Sequence, residues 1–334
     1  MLSVIVPVRD GAALLRETLP PLLAILPPGA ELLVVDDGSR DGSGDVARGL
    51  GARVFRLEAS RGPAAARNRG AAEARGDVLA FLDADVRVHA DTLDRLLAPL
   101  ADAGVAASFG SYDDSPPARS WVSLYKNLAH HFVHQRSRDE ASTFWAACGA
   151  VRRVVFESAG GFDEGYRRPS IEDVELGYRL RAGAHRIRLV GGAQVTHLKR
   201  WTLGSWLASD LRDRAIPWAR LVRAGRGLPP DLNFTPRDRA ATILVGFGLL
   251  ALVMSILEPR LLALAATMLV VAVALDAPFL RFAAARVSPA FALAAAGLQL
   301  LHRLAGLLGF AVGWVTRRPA ACQPPHRQTN IGGS

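Results

Sequence analysis

The sequence predicts an α/β domain, a mainly parallel sheet with helices on both faces, followed by hydrophobic C-terminal transmembrane helices. Three observations carry this expectation. Short β-rich apolar runs alternate with helical stretches over the first hundred residues, carboxylates cluster just after those runs end, and long charge-free apolar segments appear only in the last third of the chain.

Residues 2–8, 31–35, 53–57 and 78–82 read as buried strands, since each concentrates Val, Ile, Leu or Phe between polar turns. Residues 14–25, 41–50 and 63–75 read as the intervening helices, and Pro20 and Pro21 should kink or split the first of them. Residues 92–100 form the next expected helix, with Asp91 and Asp94 placed to cap it. The stretch 118–148, rich in aromatics and histidine (Trp121, Tyr125, His130, His131, Phe132, His134), is compatible with a helix. Past Trp201, the residues Leu203, Trp206, Leu207 and Leu211 recur at helical spacing opposite Asp210, Arg212 and Asp213, as in a helix lying at an interface. Pro217 should bend or end that helix, and residues 227–236, with Pro229, Pro230 and Pro236, read as a linker. The expected organisation is a catalytic domain over 1–200, interfacial helices and linker over 201–236, a membrane domain over 237–318 and a flexible tail over 319–334.

With 334 residues and 50% hydrophobic content, the chain has material for two ordinary domains and is not a disordered sequence. Cys148 and Cys322 are too few for a disulfide framework or a thiolate metal site. The apolar run 2–8 is too short for the core of an export signal, so the catalytic domain is expected on the cytoplasmic side of an inner or plasma membrane. The net charge of +9 is concentrated between Arg179 and Arg226, where eleven Lys and Arg face two Asp. Basic residues interspersed with Trp201, Trp206 and Trp218, just ahead of apolar runs, suit an anionic lipid bilayer rather than nucleic acid. Residues 240–257 and 261–280 are expected to span as a hairpin around Glu258, Pro259 and Arg260. Residues 290–315 are long enough for a third span, although Arg303 near its middle costs about 3 kcal/mol in hydrocarbon.

The carboxylates carry the chemistry. Asp36 and Asp37 end the second strand, where they could accept hydrogen bonds from a base or ribose or simply form an Asp-Gly turn. Asp83, Ala84 and Asp85 place two carboxylates at the end of the fourth strand, able to reach a ribose and a divalent ion such as Mg2+ or Mn2+. Glu172 and Asp173 open a helix, where Ser170 and Asp173 also fit a capping box, so a structural role for Asp173 stands beside a catalytic one.

Taken in order, these motifs resemble the family 2 glycosyltransferases of the GT-A fold, a Rossmann-like architecture. The matching pieces are Val4 to Val8, Val35 to Ser39, Gly62 through Ala66-Arg67-Asn68-Arg69-Gly70, Phe81 to Asp85, Gly160 to Glu164, and Glu172 to Leu176 with Arg179 and Gly183, covering about residues 2–200. The resemblance implies that Asp37 contacts the base, Asp83 lies by the uridine or ribose, Asp85 binds the metal and Asp173 is the general base, with Glu172 beside it. It further implies donor contacts from Pro7, Asp36, Arg67, Asn68 and Ala84, and a metal ligand in His197. The run His197-Leu198-Lys199-Arg200-Trp201 is similar to the Gln-x-x-Arg-Trp signature of processive relatives, with His in place of Gln; Arg200 and Trp201 are thereby acceptor or gating candidates.

The expected activity is inverting transfer from a UDP- or GDP-sugar to an acceptor hydroxyl on a lipid-linked or membrane-proximal glycan. The alternative acceptor is a polyprenyl phosphate, already an anion and needing no base. A non-catalytic nucleotide-sugar-binding membrane protein would not need both the metal and the base carboxylates, and a sugar-nucleotide pyrophosphorylase should carry a Gly-rich basic loop where this chain has Val8-Arg9-Asp10-Gly11.

Overall fold

The computed structural model describes residues 1–226 and 231–316. The expected linker is therefore described only from residue 231, and the tail 319–334 with Cys322 lies outside the described residues. Strands β1 (Leu2–Val8), β2 (Glu31–Asp36), β3 (Arg53–Arg56) and β4 (Val78–Leu82) pair in parallel in the order β3-β2-β1-β4. They alternate with α1 (Ala12–Ala24), α2 (Ser43–Gly49) and α3 (Pro63–Glu73), as the sequence predicts. Pro20 and Pro21 sit inside α1 without splitting it. Because Val8 pairs with Asp36 and Ile5 with Phe81, the carboxylate turns after β2 and β4 leave the same edge of the sheet.

The second half comprises β5 (Val86–Val88), α4 (Thr92–Leu97), β6 (Val105–Tyr112), α5 (Trp121–Arg136), β7 (Glu140–Ala141), β8 (Cys148–Arg152), α6 (Arg153–Ser158), α7 (Glu172–Ala182) and β9 (Arg186–His197). Here β8 inserts antiparallel between β4 and β6, β9 runs parallel to β6, and β5 and β7 pair antiparallel with β9. The sheet is thus mixed rather than mainly parallel. β8 is buried on both faces like a parallel strand, so its composition does not betray its direction. Asp91 stands at the N-cap of α4, as expected, but its carboxylate makes no cap hydrogen bond and pairs with Arg95 instead. One face of the sheet buries Val4, Val6, Leu15, Leu19, Leu93 and Leu96, the other Ile5, Leu33, Phe81, Phe109, Phe162 and Leu176.

Beyond the sheet, α8 (Leu203–Ala208), a π-helical stretch (Ser209–Ala215) and α9 (Ile216–Leu221) follow one another without a break. Pro217 does not end this helix, because the looser π register just before it accommodates the ring and the missing N–H. Asp210, expected on the polar face, is buried and paired with Lys126 Nζ of α5 at 2.5 Å and with His302 Nδ1 at 2.7 Å.

The last helices are α10 (Pro236–Met254), α11 (Leu261–Leu275), α12 (Ala277–Arg286) and α13 (Pro289–Val315). The expected hairpin around residues 258–260 forms, but the expected set of spans does not. α10 carries Arg237, Asp238 and Arg239 in its first turn, and α11 ends at Leu275, where the chain bends by 60° into α12. Among the described residues, only α13, with 27 residues, is by itself long and apolar enough to cross a bilayer, and α11 with α12 qualifies only as one bent pair, so three expected spans are replaced by one candidate helix and one broken one. Arg303, near the middle of α13, is buried against Asp276 at 2.5 Å and also donates to the Asp238 carbonyl and to Thr242 Oγ1. All but four of the large apolar side chains left exposed among the described residues, Met1, Trp121, Val154 and Leu203, fall within 243–315.

Trp206 is fully buried where α5, α12 and α13 meet, together with Tyr125, Phe279 and Phe291. Trp206→Ala should cost about 3–5 kcal/mol. Limited proteolysis of detergent-solubilised protein should then release the C-terminal helices well before the sheet domain is cut.

Candidate active site

The two carboxylate turns differ in what their side chains do. Asp36 is fully buried, and its Oδ1 accepts from Ser39 N at 2.7 Å, an Asx turn that closes the loop after β2. Asp37 accepts from Arg61 N at 2.7 Å, Ser60 Oγ at 2.7 Å and Gly62 N at 3.0 Å, and so ties that turn to the loop before α3. Gly62 has φ +95°, and a Cβ there would lie 2.6 Å from the Arg167 carbonyl carbon, which restricts the position to glycine. Both acids, expected at the donor, therefore spend hydrogen-bonding capacity on their own loops. Pro7 lies in β1 opposite Val35, beneath these turns.

After β4, Asp83 and Asp85 sit on either side of Ala84. The Ala84 carbonyl accepts from Thr18 Oγ1 at 3.2 Å, and Asp83 N donates to the Ala147 carbonyl at 3.2 Å. Asp85 immediately precedes β5, whose Val86 pairs with His197 at the end of β9, and Leu198 N donates to the Asp85 carbonyl at 2.9 Å. That short ladder brings Asp85 Oδ2 within 3.6 Å of His197 Nε2. Burial raises the Asp85 proton affinity, but the His197 hydrogen bond and charge, with Lys199 beyond, bring it below the ordinary carboxylate range. His197 is stacked on Tyr112, with ring centroids 4.2 Å apart and planes 8° from parallel. Burial, then the charges of Asp85 and Asp83, push the Tyr112 phenol well above its ordinary value.

Arg67 closes the other side. Its buried guanidinium donates to Asp83 Oδ1 at 2.7 Å and to Glu172 Oε1 at 2.8 Å, with its carbon 5.4 Å from the Phe162 ring centre. Asn68 donates to the Phe162 carbonyl and accepts from Phe162 N, both at 2.8 Å, and pins the loop containing Gly161, whose φ is +68°. Arg67 and Asn68, expected to touch the donor, are thus engaged with protein partners. Glu172 is engaged as well, since its second oxygen accepts from Ser170 N at 2.8 Å. No capping box forms: α7 is capped at Ile171 without a side chain, and Ser170 Oγ donates instead to the Asp213 carbonyl at 2.5 Å.

Asp173 is half-buried. Its oxygens accept from Ala146 N at 3.1 Å and Val174 N at 2.8 Å, which leaves lone pairs free. Burial, then the adjacent Glu172 charge, push its carboxyl up to about 6, against the opposing pull of Arg67. Arg200 is exposed, whereas Trp201 is buried, with its backbone N–H donated to Ser123 Oγ at 2.8 Å and its ring under Lys199 Nζ at 4.2 Å.

Asp85, a quarter exposed, offers a carboxylate suited to Mg2+ or Mn2+, and His197 adds an imidazole, a ligand that fits a transition metal such as Mn2+ better than Mg2+. Among the described residues no group of three potential ligands forms, so a cation held here would complete its shell from phosphate or water. The bridge made by Arg67, the stacking of Tyr112 and the proximity of Lys199 to Asp85 were missed by sequence reasoning. Arg67 and Lys199 lay inside recognised motifs, but nothing in the sequence named their partners.

Residues 3–160 match the family model described as glycosyl transferase family 2. The chain is 32% identical over 216 residues to the pre-mycofactocin glycosyltransferase of Mycobacterium tuberculosis, covering 62% of this chain and 44% of that protein. It is 31% identical over 220 residues to the validoxylamine A glucosyltransferase of Streptomyces hygroscopicus subsp. limoneus, covering 54% of this chain and 48% of that protein. The chain thus spans under half the length of these two curated relatives. Among solved structures, the mannosyltransferase PcManGT from Pyrobaculum calidifontis, in complex with GDP-Man and Mn2+, superposes with a TM-score of 0.58 at 21% identity, over 92% of this chain and 86% of that one. That likeness, with GalNAc-T7 bound to UDP, GalNAc and Mn2+ at a TM-score of 0.50 and 18% identity over 73% of this chain and 50% of that one, identifies the sheet as a GT-A fold.

Arg67→Met would leave Glu172 buried and Asp83 half-buried without their cation. Urea unfolding of the purified variant should show a loss of about 3–5 kcal/mol, whereas Arg69→Met, at an exposed pair with Glu73, should cost under about 1 kcal/mol.

Proposed function

We propose, for a chain that belongs to glycosyl transferase family 2 through residues 3–160, that it transfers a sugar from a nucleoside-diphosphate sugar to an acceptor hydroxyl with inversion at the anomeric carbon. Asp173 carries this reading. Of the two adjacent acids at the start of α7, Glu172 is locked in an internal ion pair, while Asp173 keeps free lone pairs and a proton affinity raised to about 6. A carboxylate so poised is ionised at neutral pH and accepts a proton more readily than an ordinary one.

In the proposed reaction Asp173 takes the proton of the acceptor hydroxyl as its oxygen attacks the anomeric carbon. The bond to the diphosphate breaks with its electron pair on the leaving oxygen. Asp37 and Asp83 border the nucleotide, the first from the loop it ties down and the second from its perch on Arg67. Asp85 and His197 would hold a divalent cation, which supplies positive charge to the departing diphosphate when bound. The exposed Lys199 and Arg200 just past His197 favour a second reading, in which the acceptor is itself an anion such as a polyprenyl phosphate. The apolar faces of 243–315 support attachment to a bilayer, and the proposal adds a catalytic domain on its cytoplasmic side and a lipid-linked or membrane-proximal acceptor.

Asp173→Asn should lower transfer to a hydroxyl acceptor by about 100- to 10,000-fold. Donor affinity, measured by isothermal titration with the nucleotide sugar, should stay nearly unchanged. In the unmodified enzyme the rate should fall about tenfold per pH unit below about 6, because protonation removes the base as pH drops through its raised pKa; a flat profile down to pH 5, or full transfer by the variant to a polyprenyl phosphate, would refute the hydroxyl mechanism. Asp85→Ala should abolish the dependence of turnover on added Mn2+ or Mg2+ and most of the turnover itself, with circular dichroism unchanged; full activity of the unmodified enzyme in excess chelator would contradict a metal role.

A further inference from the structure

α13 passes every compositional test for a membrane-spanning helix, yet its neighbours place it elsewhere. We propose that α13 does not cross the bilayer but lies flat along the membrane surface, so that both its ends stay on the side of the catalytic domain. The proposal deepens the membrane reading given above and rests on it.

The argument is one of layers. The helix over 203–221 lies on the catalytic domain along its whole length. Near its start Trp206 packs on Tyr125 of α5 with centroids 5.2 Å apart, and Asp210 pairs with Lys126 of the same helix. Further on, the Asp213 carbonyl accepts from Ser170, and Trp218 and Leu221 pack with Tyr166, Ile171 and Tyr178 around α7.

The C-terminal half of α13 lies in turn on that helix, in steady register. His302 meets Asp210, Gly309 meets Ala215, and Gly313 meets Ile216 and Ala219. At the end of α13 Arg220 donates to Thr316 Oγ1 at 2.9 Å and Arg223 donates to the Trp314 carbonyl. A Cβ on Gly309 would fall 2.5 Å from the Ala215 Cβ, and one on Gly313 2.5 Å from the Ile216 carbonyl oxygen, so the two backbones run close together. Earlier in α13, Phe291 packs on Trp121 and Gln299 accepts from the Tyr125 hydroxyl, both partners in α5.

Every part of α13 is therefore within one or two helix layers of the catalytic domain, and packed helices are only about 8–10 Å apart. A crossing helix must instead carry one end about 30 Å away through hydrocarbon. If α13 crossed, its lengthwise partner would have to cross with it, bringing Asp210, Arg212, Asp213, Arg214 and Arg220 into the bilayer at about 3 kcal/mol for each Arg or Asp at its centre. The outward side of α13 shows Leu293, Leu308, Val312 and Val315, all exposed, with Arg212, paired to Asp213, exposed on the neighbouring helix and Arg223, bonded to the Trp314 carbonyl, exposed just past its end. An apolar strip flanked by guanidiniums matches the boundary between acyl chains and anionic headgroups.

The test uses the full chain with Cys322→Ser, since Cys148 is buried. Thr316→Cys, and separately Arg48→Cys on the exposed side of α2 as the marker of the catalytic side, are reconstituted into sealed phosphatidylcholine–phosphatidylglycerol vesicles and treated with an impermeant maleimide. Equal labelled fractions at the two positions are expected before permeabilisation. Complementary fractions, with Thr316→Cys protected wherever Arg48→Cys reacts, would overturn the proposal. Spin labels at Leu293→Cys and Val315→Cys give a second reading: both should lie within about 10 Å of the headgroup boundary in one leaflet, and a separation of about 30 Å across the bilayer would overturn it. Failure of the chain to float with vesicles at all would instead overturn the membrane attachment on which the proposal rests.

Discussion

A buried guanidinium holds the active site together. Arg67 reaches from α3 to Asp83 just past the end of β4 and to Glu172 at the start of α7, so one side chain sets the spacing between the acid proposed for the donor and the helix that carries Asp173, the proposed base. Arginine suits this position because its planar fork serves two carboxylates at once and stays charged when buried, whereas a lysine would have one point of charge and a pKa open to burial. The cost of burying the guanidinium is offset only while both acids are present, which makes the trio an all-or-none arrangement. Asn68, the next residue, fixes the loop over 160–164 from the same helix turn, and two adjacent residues thereby place both Phe162 and Glu172.

The parallel half of the fold was legible in the chain because each strand is short, apolar and bounded by polar turns, and β1 and β4 were delimited to the residue. The antiparallel insertion of β8 was not, since a strand buried on both faces looks the same in either direction. Asp85 and His197 could be picked out one by one, but their meeting depends on the β5–β9 ladder, a pairing between distant segments that no local pattern announces. At Ser170 and Asp173 the local pattern was misleading: the spacing fits a capping box, but tertiary partners claim both side chains, Asp213 for the serine and Ala146 for the aspartate.

The C-terminal helices show the same limit on a larger scale. Hydropathy counts what a residue is, not what it touches, and it treats His302 and Arg303 as flaws in an apolar run. In the fold they are joints. Arg303 ties α13 to the start of α10 and the end of α11, and His302 ties it through Asp210 to Lys126 of α5. Likewise Asp210, assigned by helical spacing to the polar face, is buried because Lys126 and His302, from different elements, converge on it. Apolar surface supplies the adhesion here, and the paired charges set which face meets which.

The bridge from Arg67 to Glu172 spans 105 residues of sequence and the clasp from Asn68 to Phe162 spans 94. Contacts of such range close late, because the chain entropy lost in joining distant segments is regained only once both have emerged and packed. During synthesis the first four strands can therefore assemble with an open, unfinished pocket, and the histidine proposed for the cation is not translated until residue 197. A nascent chain stalled before that point would already carry Asp173 but lack His197 beside Asp85, so the proposed cation site stays unfinished until the sheet's last strand is in place.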